Sequence, residues 1–111
     1  MLLVEDNEDV SCIGCEYLRE LGHEPEAVPD GEEALVRVRQ TRFDAVITDL
    51  KLPGISGLEI AAVLAKELPE LRVVISSGYE AYRVKALLGD MSRVKILAKP
   101  YDLADLQEVL A

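Results

Sequence analysis

Three uninterrupted apolar runs, at residues 2–4, 45–47 and 73–75, constrain the fold of this chain more than any other feature of its sequence. A strand whose consecutive side chains are all apolar needs cover on both faces, as in a parallel sheet between two layers of helices. A fourth run at 94–97 and a shorter, more polar strand at 26–28 bring the predicted strands to five. The sequence therefore predicts an α/β domain, a doubly wound five-stranded parallel sheet in three layers, with the second strand at or near an edge.

Five helical segments are predicted to alternate with these strands. Asn7 and Asp30 are predicted to cap the first two helices, and the third begins at Ser56 or Gly57 and stops before Pro69. A weak fourth helix is predicted over 80–88, inside a segment (79–90) that we expect to be mobile or partly irregular, and a fifth over 102–110. The first helix ends at Gly22, and its core-facing stripe is predicted to contain Val10, Ile13, Tyr17 and Leu21, with Gly14 and Leu18 beside it.

Polar residues stand at the ends of four predicted strands: Glu5-Asp6, Asp49, Ser76-Ser77 and Lys99. The carboxyl ends of parallel strands meet at one edge of the sheet, where open α/β sheets bind their ligands. Each residue alone also fits a helix cap or a turn former. Their convergence favours a shared pocket that holds three carboxylates, a hydroxyl and a lysine.

The composition excludes several classes of protein. Half of the residues are hydrophobic, so the chain is not a disordered tail, and 111 residues suffice for one core but not two. We therefore expect residues 1–111 to form a single domain. A formal net charge of −9 argues against direct binding to nucleic acid or to an anionic membrane surface. Because no apolar stretch reaches membrane-spanning length and no secretory leader opens the chain, we expect a soluble, cytoplasmic protein.

The two cysteines, Cys12 and Cys15, form a C-x-x-C pair inside the first predicted helix. A thioredoxin-like redox site would place such a pair at a helix N-terminus, where the thiolate is stabilised. Here the helix starts nearer Glu8, and the acids around it disfavour a thiolate. We interpret both cysteines as ordinary helix residues, and His23 beside Gly22 as a turn residue.

Four short segments, taken together, resemble a known family. They are V-E-D-N at 4–7, T-D-L-K-L-P-G-I-S-G at 48–57, V-V-I-S-S-G-Y at 73–79 and A-K-P-Y at 98–101. In this order, at the ends of alternating strands, they resemble the response-regulator receiver domain, the phospho-acceptor module of two-component signalling. The resemblance covers the whole chain and implies a flavodoxin-like sheet of order 2-1-3-4-5. The S-G-Y segment is most similar to receivers of hybrid histidine kinases and to stand-alone receivers.

The chemistry of an aspartyl phosphate fits the predicted pocket. A carboxylate oxygen can attack phosphorus, and phosphoryl transfer needs mainly alignment and charge neutralisation, so Asp49 is the candidate acceptor. Three clustered carboxylates repel one another unless a cation joins them, and oxygen ligands suit Mg²⁺. The resemblance implies that Asp6 binds the ion directly and Glu5 partly through water, and that the backbone carbonyl of Lys51 is a further ligand.

The resemblance also assigns roles around the acceptor. Lys99 would pair with a phosphoryl oxygen or with Asp49, and its bond to Pro100 would be cis. Ser77 would supply the hydroxyl that binds the phosphoryl group, with Ser76 as the competing choice. Many receivers carry Tyr or Phe three residues before this lysine, a ring that turns inward on activation. Ile96 occupies that place here, so the usual output through that face is in question.

The implied partner is a phosphorylated histidine on a sensor kinase or a phosphotransfer domain. The resemblance places its docking surface around the first helix and the acceptor loops, at Asn7, Ile13 or Gly14, Pro53 and Tyr101. Such a domain phosphorylates and dephosphorylates itself and is not a turnover enzyme. The sequence leaves the oligomeric state open, a homodimer included.

Three other functions compete with this interpretation. A receiver-like interaction module that is never phosphorylated would have no need of all five of these site residues: Glu5, Asp6, Asp49, Ser77 and Lys99. A phosphatase that forms an aspartyl phosphate needs an acid two residues after the nucleophile, where this chain has Lys51. A flavodoxin-type flavin binder needs a phosphate-binding loop after the first strand, where the acidic run from Glu5 to Asp9 would repel a phosphate.

Overall fold

The computed structural model describes residues 1–78 and 94–110. Its strands are β1 Leu2–Val4, β2 Glu26–Val28, β3 Ala45–Asp49, β4 Arg72–Ser77 and β5 Val94–Ala98. The helices within the described ranges are α1 Glu8–Glu20, α2 Gly31–Gln40, α3 Gly57–Glu67 and α4 Leu103–Leu110. The five strands form one parallel sheet in the order β2-β1-β3-β4-β5, which confirms the predicted topology and the edge position of β2. The helix predicted over 80–88 and the mobility expected for 79–90 lie outside the described residues.

Strand side chains alternate between two hydrophobic cores, one on each face of the sheet. The core beneath α2 and α3 takes Leu2, Val4, Val46, Val73 and Ile75 from the strands. The core beneath α1 and α4 takes Leu3, Ile47, Val74 and Leu97. Because neighbouring residues of one strand point to opposite faces, an apolar run is buried at every position. The uninterrupted runs in the sequence therefore follow from a sheet that is covered on both sides.

The orientation of α1 about its own axis differs from the prediction. The cap is as expected, since Oδ1 of Asn7 accepts the backbone N–H groups of Asp9 and Val10. The buried face, however, consists of Gly14, Cys15 and Leu18, whereas Ile13 is 49% exposed. A Cβ atom on Gly14 would lie 2.9 Å from a methyl carbon of Leu3, so the glycine allows α1 to lie directly against β1. Of the predicted stripe, Tyr17 and Leu21 are partly buried and pack against the core beneath α1 and α4. The prediction was wrong for Ile13, because it counted apolar side chains and gave no weight to the close approach at Gly14.

The cysteine and histidine interpretations agree with the structure. Cys12 is exposed and Cys15 is buried, and both are free thiols. Burial raises the pKa of the Cys15 thiol, the opposite of what a redox-active cysteine needs. His23 lies in the turn after Gly22, whose φ is 90°, and its N–H donates to the carbonyl of Leu18 at 2.9 Å.

The next two helices begin at their predicted caps. Side-chain oxygens of Asp30 and Ser56 accept the N–H groups of Glu33 and Glu59, respectively. Three strands extend past the predicted apolar runs: β3 includes Asp49, β4 includes Ser76 and Ser77, and β5 includes Ala98. Asp49, Ser76 and Ser77 are thus held by the sheet itself. Among the described helices, none has the length and apolar character needed to cross a membrane.

Candidate functional site

Three carboxylates meet at the carboxyl-terminal edge of the sheet, as the strand ends predict. Glu5 and Asp6 follow β1, and Asp49 is the last residue of its neighbour β3. One oxygen from each of the three lies within 4.8 Å of the others. Glu5 is buried, the side chain of Asp49 is 15% exposed, and Asp6 is exposed. The cluster therefore opens to solvent on the side of Asp6.

Lys99, which follows β5, brings the positive charge to this cluster. Its Nζ donates to Oε1 of Glu5 at 2.8 Å and lies 3.1 Å from Oδ2 of Asp49. Burial alone lowers the pKa of this lysine, but its hydrogen bond to Glu5 and the charge of Asp49 outweigh that effect and raise the pKa. The ammonium group thus remains charged between the two acids.

Glu5 is held by a second contact as well. The backbone N–H of Asn7 donates to Oε2 of Glu5 at 3.2 Å, so both carboxylate oxygens have donors. Burial raises the pKa of Glu5, and the charge of Asp49 adds to that rise, whereas the bonds from Lys99 and Asn7 oppose it. Asn7 was predicted as a helix cap and a docking residue. Its backbone contact with Glu5 was missed, because nothing in a sequence pattern reports a turn between residues 5 and 7.

The loop between β3 and α3 begins directly after Asp49. It carries the exposed Lys51, and Gly54 within it has a φ of 79°. The loop closes where the N–H of Gly57 donates to the carbonyl of Leu50 at 2.9 Å. A Cβ atom at position 57 would overlap the carbonyl oxygen of Asp49, so α3 begins in direct contact with the backbone of Asp49.

The two serines at the end of β4 have different surroundings. Ser76 pairs with Asp49 in the sheet, and its hydroxyl donates to the carbonyl of Thr48 at 3.4 Å. Ser77 is buried, and its carbonyl accepts the N–H of Lys99 at 2.6 Å. The Lys99-Pro100 bond is cis, as the resemblance implied. The hydroxyl of Ser76 is thus used within the sheet, and the assignment of the ligand-binding hydroxyl to Ser77 stays a prediction.

The residues predicted for the docking surface divide between surface and core. Ile13 is exposed on α1, and Asn7 and Pro53 are exposed in the loops near the cluster. Gly14 is buried, and a Cβ atom there would lie 3.1 Å from the hydroxyl oxygen of Tyr101. Tyr101 itself is partly buried, and burial raises its pKa. Of the two alternatives on α1, Ile13 and not Gly14 is therefore accessible to a partner.

Ile96 is partly buried and packs against the core beneath α2 and α3. Its aliphatic side chain lies on β5, three residues before Lys99. The position is therefore occupied by a core residue that has no ring to turn. The structure thus agrees with the sequence that this chain has an aliphatic residue where many receivers carry Tyr or Phe.

Comparison with known proteins identifies the class. The family model of the response regulator receiver domain matches residues 1–111, and the chain belongs to that family. It is a receiver domain of two-component response regulators, a class of signalling domain that accepts phosphoryl groups. The sheet order and the acidic cluster described above are those expected of this class.

Individual relatives agree with this assignment. A response regulator receiver protein of Anaeromyxobacter is 32% identical over 108 residues, covering 92% of this chain and 45% of that protein. The receiver protein CpdR of Brucella abortus is 26% identical over 106 residues, covering 96% and 88%. The crystal structure of the response regulator TrrA of Thermotoga maritima, in complex with Mg²⁺-BeF, has a TM-score of 0.87 at 29% identity, covering 98% and 93%. The chain thus spans less than half of the Anaeromyxobacter relative.

Proposed function

We propose that residues 1–111 form one receiver domain in which Asp49 accepts a phosphoryl group from a phosphorylated histidine. The observation that carries this proposal is the position of Lys99, whose ammonium group lies 2.8 Å from Glu5 and 3.1 Å from Asp49. A cation held beside a partly exposed carboxylate is the arrangement that an incoming phosphoryl group needs. No described residue suggests a competing site of this kind.

In the proposed transfer, an oxygen of Asp49 forms a bond to phosphorus as the bond between phosphorus and the histidine nitrogen breaks. The imidazole leaves and takes up a proton. Lys99 then moves its hydrogen bond from Asp49 to a phosphoryl oxygen, and the hydroxyl of Ser77 donates to another. The protein's contribution is alignment and neutralisation, so the domain modifies itself and is not a turnover enzyme.

The proposed cofactor is Mg²⁺, and the residues present fit it. Three carboxylates within 4.8 Å supply hard oxygen donors with an excess of negative charge. Asp6, Asp49 and the backbone carbonyl of Lys51 would hold the ion, with Glu5 partly through water. When bound, Mg²⁺ neutralises charge on the phosphoryl group. The Thermotoga relative, solved with Mg²⁺-BeF, supports this choice of metal.

Labelling by a small phosphodonor tests the acceptor. After incubation with acetyl phosphate or phosphoramidate and saturating Mg²⁺, the intact mass of the wild type should rise by one phosphoryl group. Asp49→Asn, which keeps the size of the side chain, should show no adduct. A full-yield adduct on Asp49→Asn would contradict the assignment. A wild type that is never labelled would favour the alternative function, an interaction module that is not phosphorylated.

The proposed partner is a sensor histidine kinase or a histidine phosphotransfer protein in the cytoplasm. The exposed Ile13 on α1, with Asn7 and Pro53 near the acidic cluster, forms the proposed docking surface. The formal charge of −9 supports a protein partner with basic groups over nucleic acid or an anionic membrane. Phosphorylation would relay the signal by a change of conformation.

A pair of matched variants tests the docking surface. Ile13 is 49% exposed on α1, and Val36 is 50% exposed on α2, so the two offer apolar side chains of similar exposure at different places. Ile13→Glu should slow transfer from a phosphorylated histidine domain by about tenfold, because it places a charge in the contact, while Val36→Glu changes it little. Labelling by acetyl phosphate should be unchanged in both. Equal losses with both donors would mean that Ile13 supports folding and not docking.

A further inference from the structure

The loop between β3 and α3 is attached to a neighbouring helix by one exposed side chain. Oε1 of Glu32, the second residue of α2, accepts the backbone N–H of Ile55 at 3.2 Å. The same carboxylate lies over Gly54, since a Cβ atom there would be 2.5 Å from Oε1. Gly54 has a φ of 79° and no side chain, which allows the carboxylate to approach the loop's backbone.

The side chain of Ile55 provides a second attachment to the same end of α2. A Cβ atom on Gly31 would overlap Cγ1 of Ile55, so the isoleucine lies directly against the first residue of the helix. Ile55 also packs against the core beneath α2 and α3. Gly31 and Glu32 thus hold the middle of the loop through its side chain and its backbone respectively.

The far end of the loop is fixed by Gly57, whose N–H donates to the carbonyl of Leu50 and whose backbone lies against that of Asp49. Lys51 lies between the strand end and the Glu32 contact. We propose that Glu32 is a positioning residue, which holds this loop so that the carbonyl of Lys51 is in place to bind Mg²⁺ before the ion arrives. This inference rests on the proposed function, because it assumes that the ion binds at Asp6 and Asp49.

The physical reason is the geometry that the ion demands. Mg²⁺ requires a nearly octahedral arrangement of ligands at short distances, so a loop ligand that must first be ordered lowers the affinity. Glu32, as the acceptor for the Ile55 N–H, orders part of the loop before the ion arrives. Less of the free energy of Mg²⁺ binding is then spent on ordering the loop. Glu32 itself is exposed and is not among the clustered carboxylates, so the proposed effect is exerted through the loop and not by direct binding of the ion.

A competing cause is the negative charge of Glu32, which would attract a cation whether or not the loop is held. Glu33 separates the two causes. It is the next residue of α2 and is also exposed, and the N–H of Ile55 donates to the carboxylate of Glu32 and not to that of Glu33. Glu32→Ala and Glu33→Ala therefore remove the same charge from the same helix end, but only the first removes the acceptor for Ile55.

The experiment measures two properties of the Mg²⁺-free and Mg²⁺-titrated protein. Amide hydrogen exchange at Ile55 in the absence of metal should be about threefold to tenfold faster in Glu32→Ala, the range expected for one lost hydrogen bond. The Mg²⁺ affinity should fall by a similar factor. Glu32→Gln keeps an oxygen acceptor and should stay within about twofold of wild type in both measurements. Glu33→Ala should leave the exchange at Ile55 unchanged.

Each alternative outcome contradicts a defined part of the proposal. Wild-type exchange and wild-type affinity in Glu32→Ala would mean that the contact positions nothing. Equal losses of affinity in Glu32→Ala, Glu32→Gln and Glu33→Ala would assign the effect to charge. Faster exchange without a change in affinity would show that the loop is held but that the ion does not use it. A wild type that binds no Mg²⁺ would overturn the proposed metal site itself, whatever the exchange shows.

Discussion

The two ends of the sheet each carry an ion pair of the same length in very different surroundings. At the carboxyl-terminal edge, Lys99 lies 2.8 Å from Glu5, and their side chains are 25% and 4% exposed. At the amino-terminal edge, Arg39 of α2 lies 2.8 Å from Glu67 of α3, and theirs are 55% and 43% exposed. Equal distances therefore do not indicate equal roles.

Exposure to solvent explains why the two ion pairs differ in their contribution to stability. Water solvates Arg39 and Glu67 whether or not they touch, so such a pair contributes little to stability. Glu5 has lost most of its hydration, and removal of its partner would leave a buried charge without compensation. Replacing buried ions with apolar residues is often neutral or favourable for stability. The buried pair at the carboxyl-terminal edge is thus better explained by the proposed chemistry at Asp49 than by folding.

Removing the cation at each end gives the largest expected contrast. Lys99→Met should slow labelling by acetyl phosphate on the order of a hundredfold, because the positive charge that stabilises the transferring group is lost. Arg39→Met should leave the rate within about twofold and change the free energy of unfolding little. Labelling rates come from intact mass, and unfolding from urea titration. A comparable loss of rate in both variants would show that overall charge, and not the position of Lys99, controls labelling.

Asp6 and Glu67 are exposed acids at opposite ends of the sheet, and they extend the comparison to Mg²⁺ binding. Asp6→Ala should weaken Mg²⁺ binding by about tenfold or more, whereas Glu67→Ala should not, although both acids are exposed. Calorimetric or fluorescence titration with Mg²⁺ measures both. If Asp6→Ala changes neither Mg²⁺ affinity nor labelling, the metal site lies elsewhere.

The same titration has an expected pH dependence. Burial raises the pKa of Glu5 above its ordinary value of 4.5, so protons should compete with the ion from a higher pH than for an exposed glutamate. Mg²⁺ affinity therefore falls as the pH is lowered. The stability of the metal-free protein depends on pH in the opposite direction. The Glu5 carboxyl group stabilises the fold below its unfolded pKa and loses that contribution as the pH rises through its folded pKa. Glu5→Gln should flatten both dependences.

Lys51 gives the smallest and sharpest test, since it is an exposed cation at the functional edge. We expect its side chain to pair with a phosphoryl oxygen and obstruct the water that must approach in line with the bond from phosphorus to Asp49. Lys51→Ala and Lys51→Asn should therefore lose phosphate a few-fold faster than wild type at saturating Mg²⁺. Phosphate loss is followed by intact mass after the donor is removed. Unchanged or slower loss would mean that exposure makes this cation as unimportant as Arg39.

The convergence at the carboxyl-terminal edge was predictable from the sequence. Each apolar run indicates a strand that is covered on both faces, and the residues that follow it indicate which side chains lie at the carboxyl-terminal edge. The carboxyl ends of parallel strands lie at one edge, so Glu5, Asp6, Asp49 and Lys99 were expected at the same edge of the sheet. The strand order that brings them together came from the resemblance to receivers, as did the roles of these residues.

Interactions between elements were not predictable in the same way. The rotation of α1 depends on how closely Gly14 approaches Leu3, which a count of apolar residues does not include. The bond from Ile55 to Glu32 joins residues 23 apart, and its acceptor is an exposed acid like many others in the chain. Both depend on the missing side chain of a glycine, whose partner is known only when the backbone is in place.

Gly57 limits what can stand at the start of α3. Its backbone lies against the Asp49 carbonyl, so even one methyl group at position 57 would displace the end of β3 or the start of the helix. Any larger residue there would therefore shift the carboxylate that we propose as the acceptor, although its own side chain would touch no ligand.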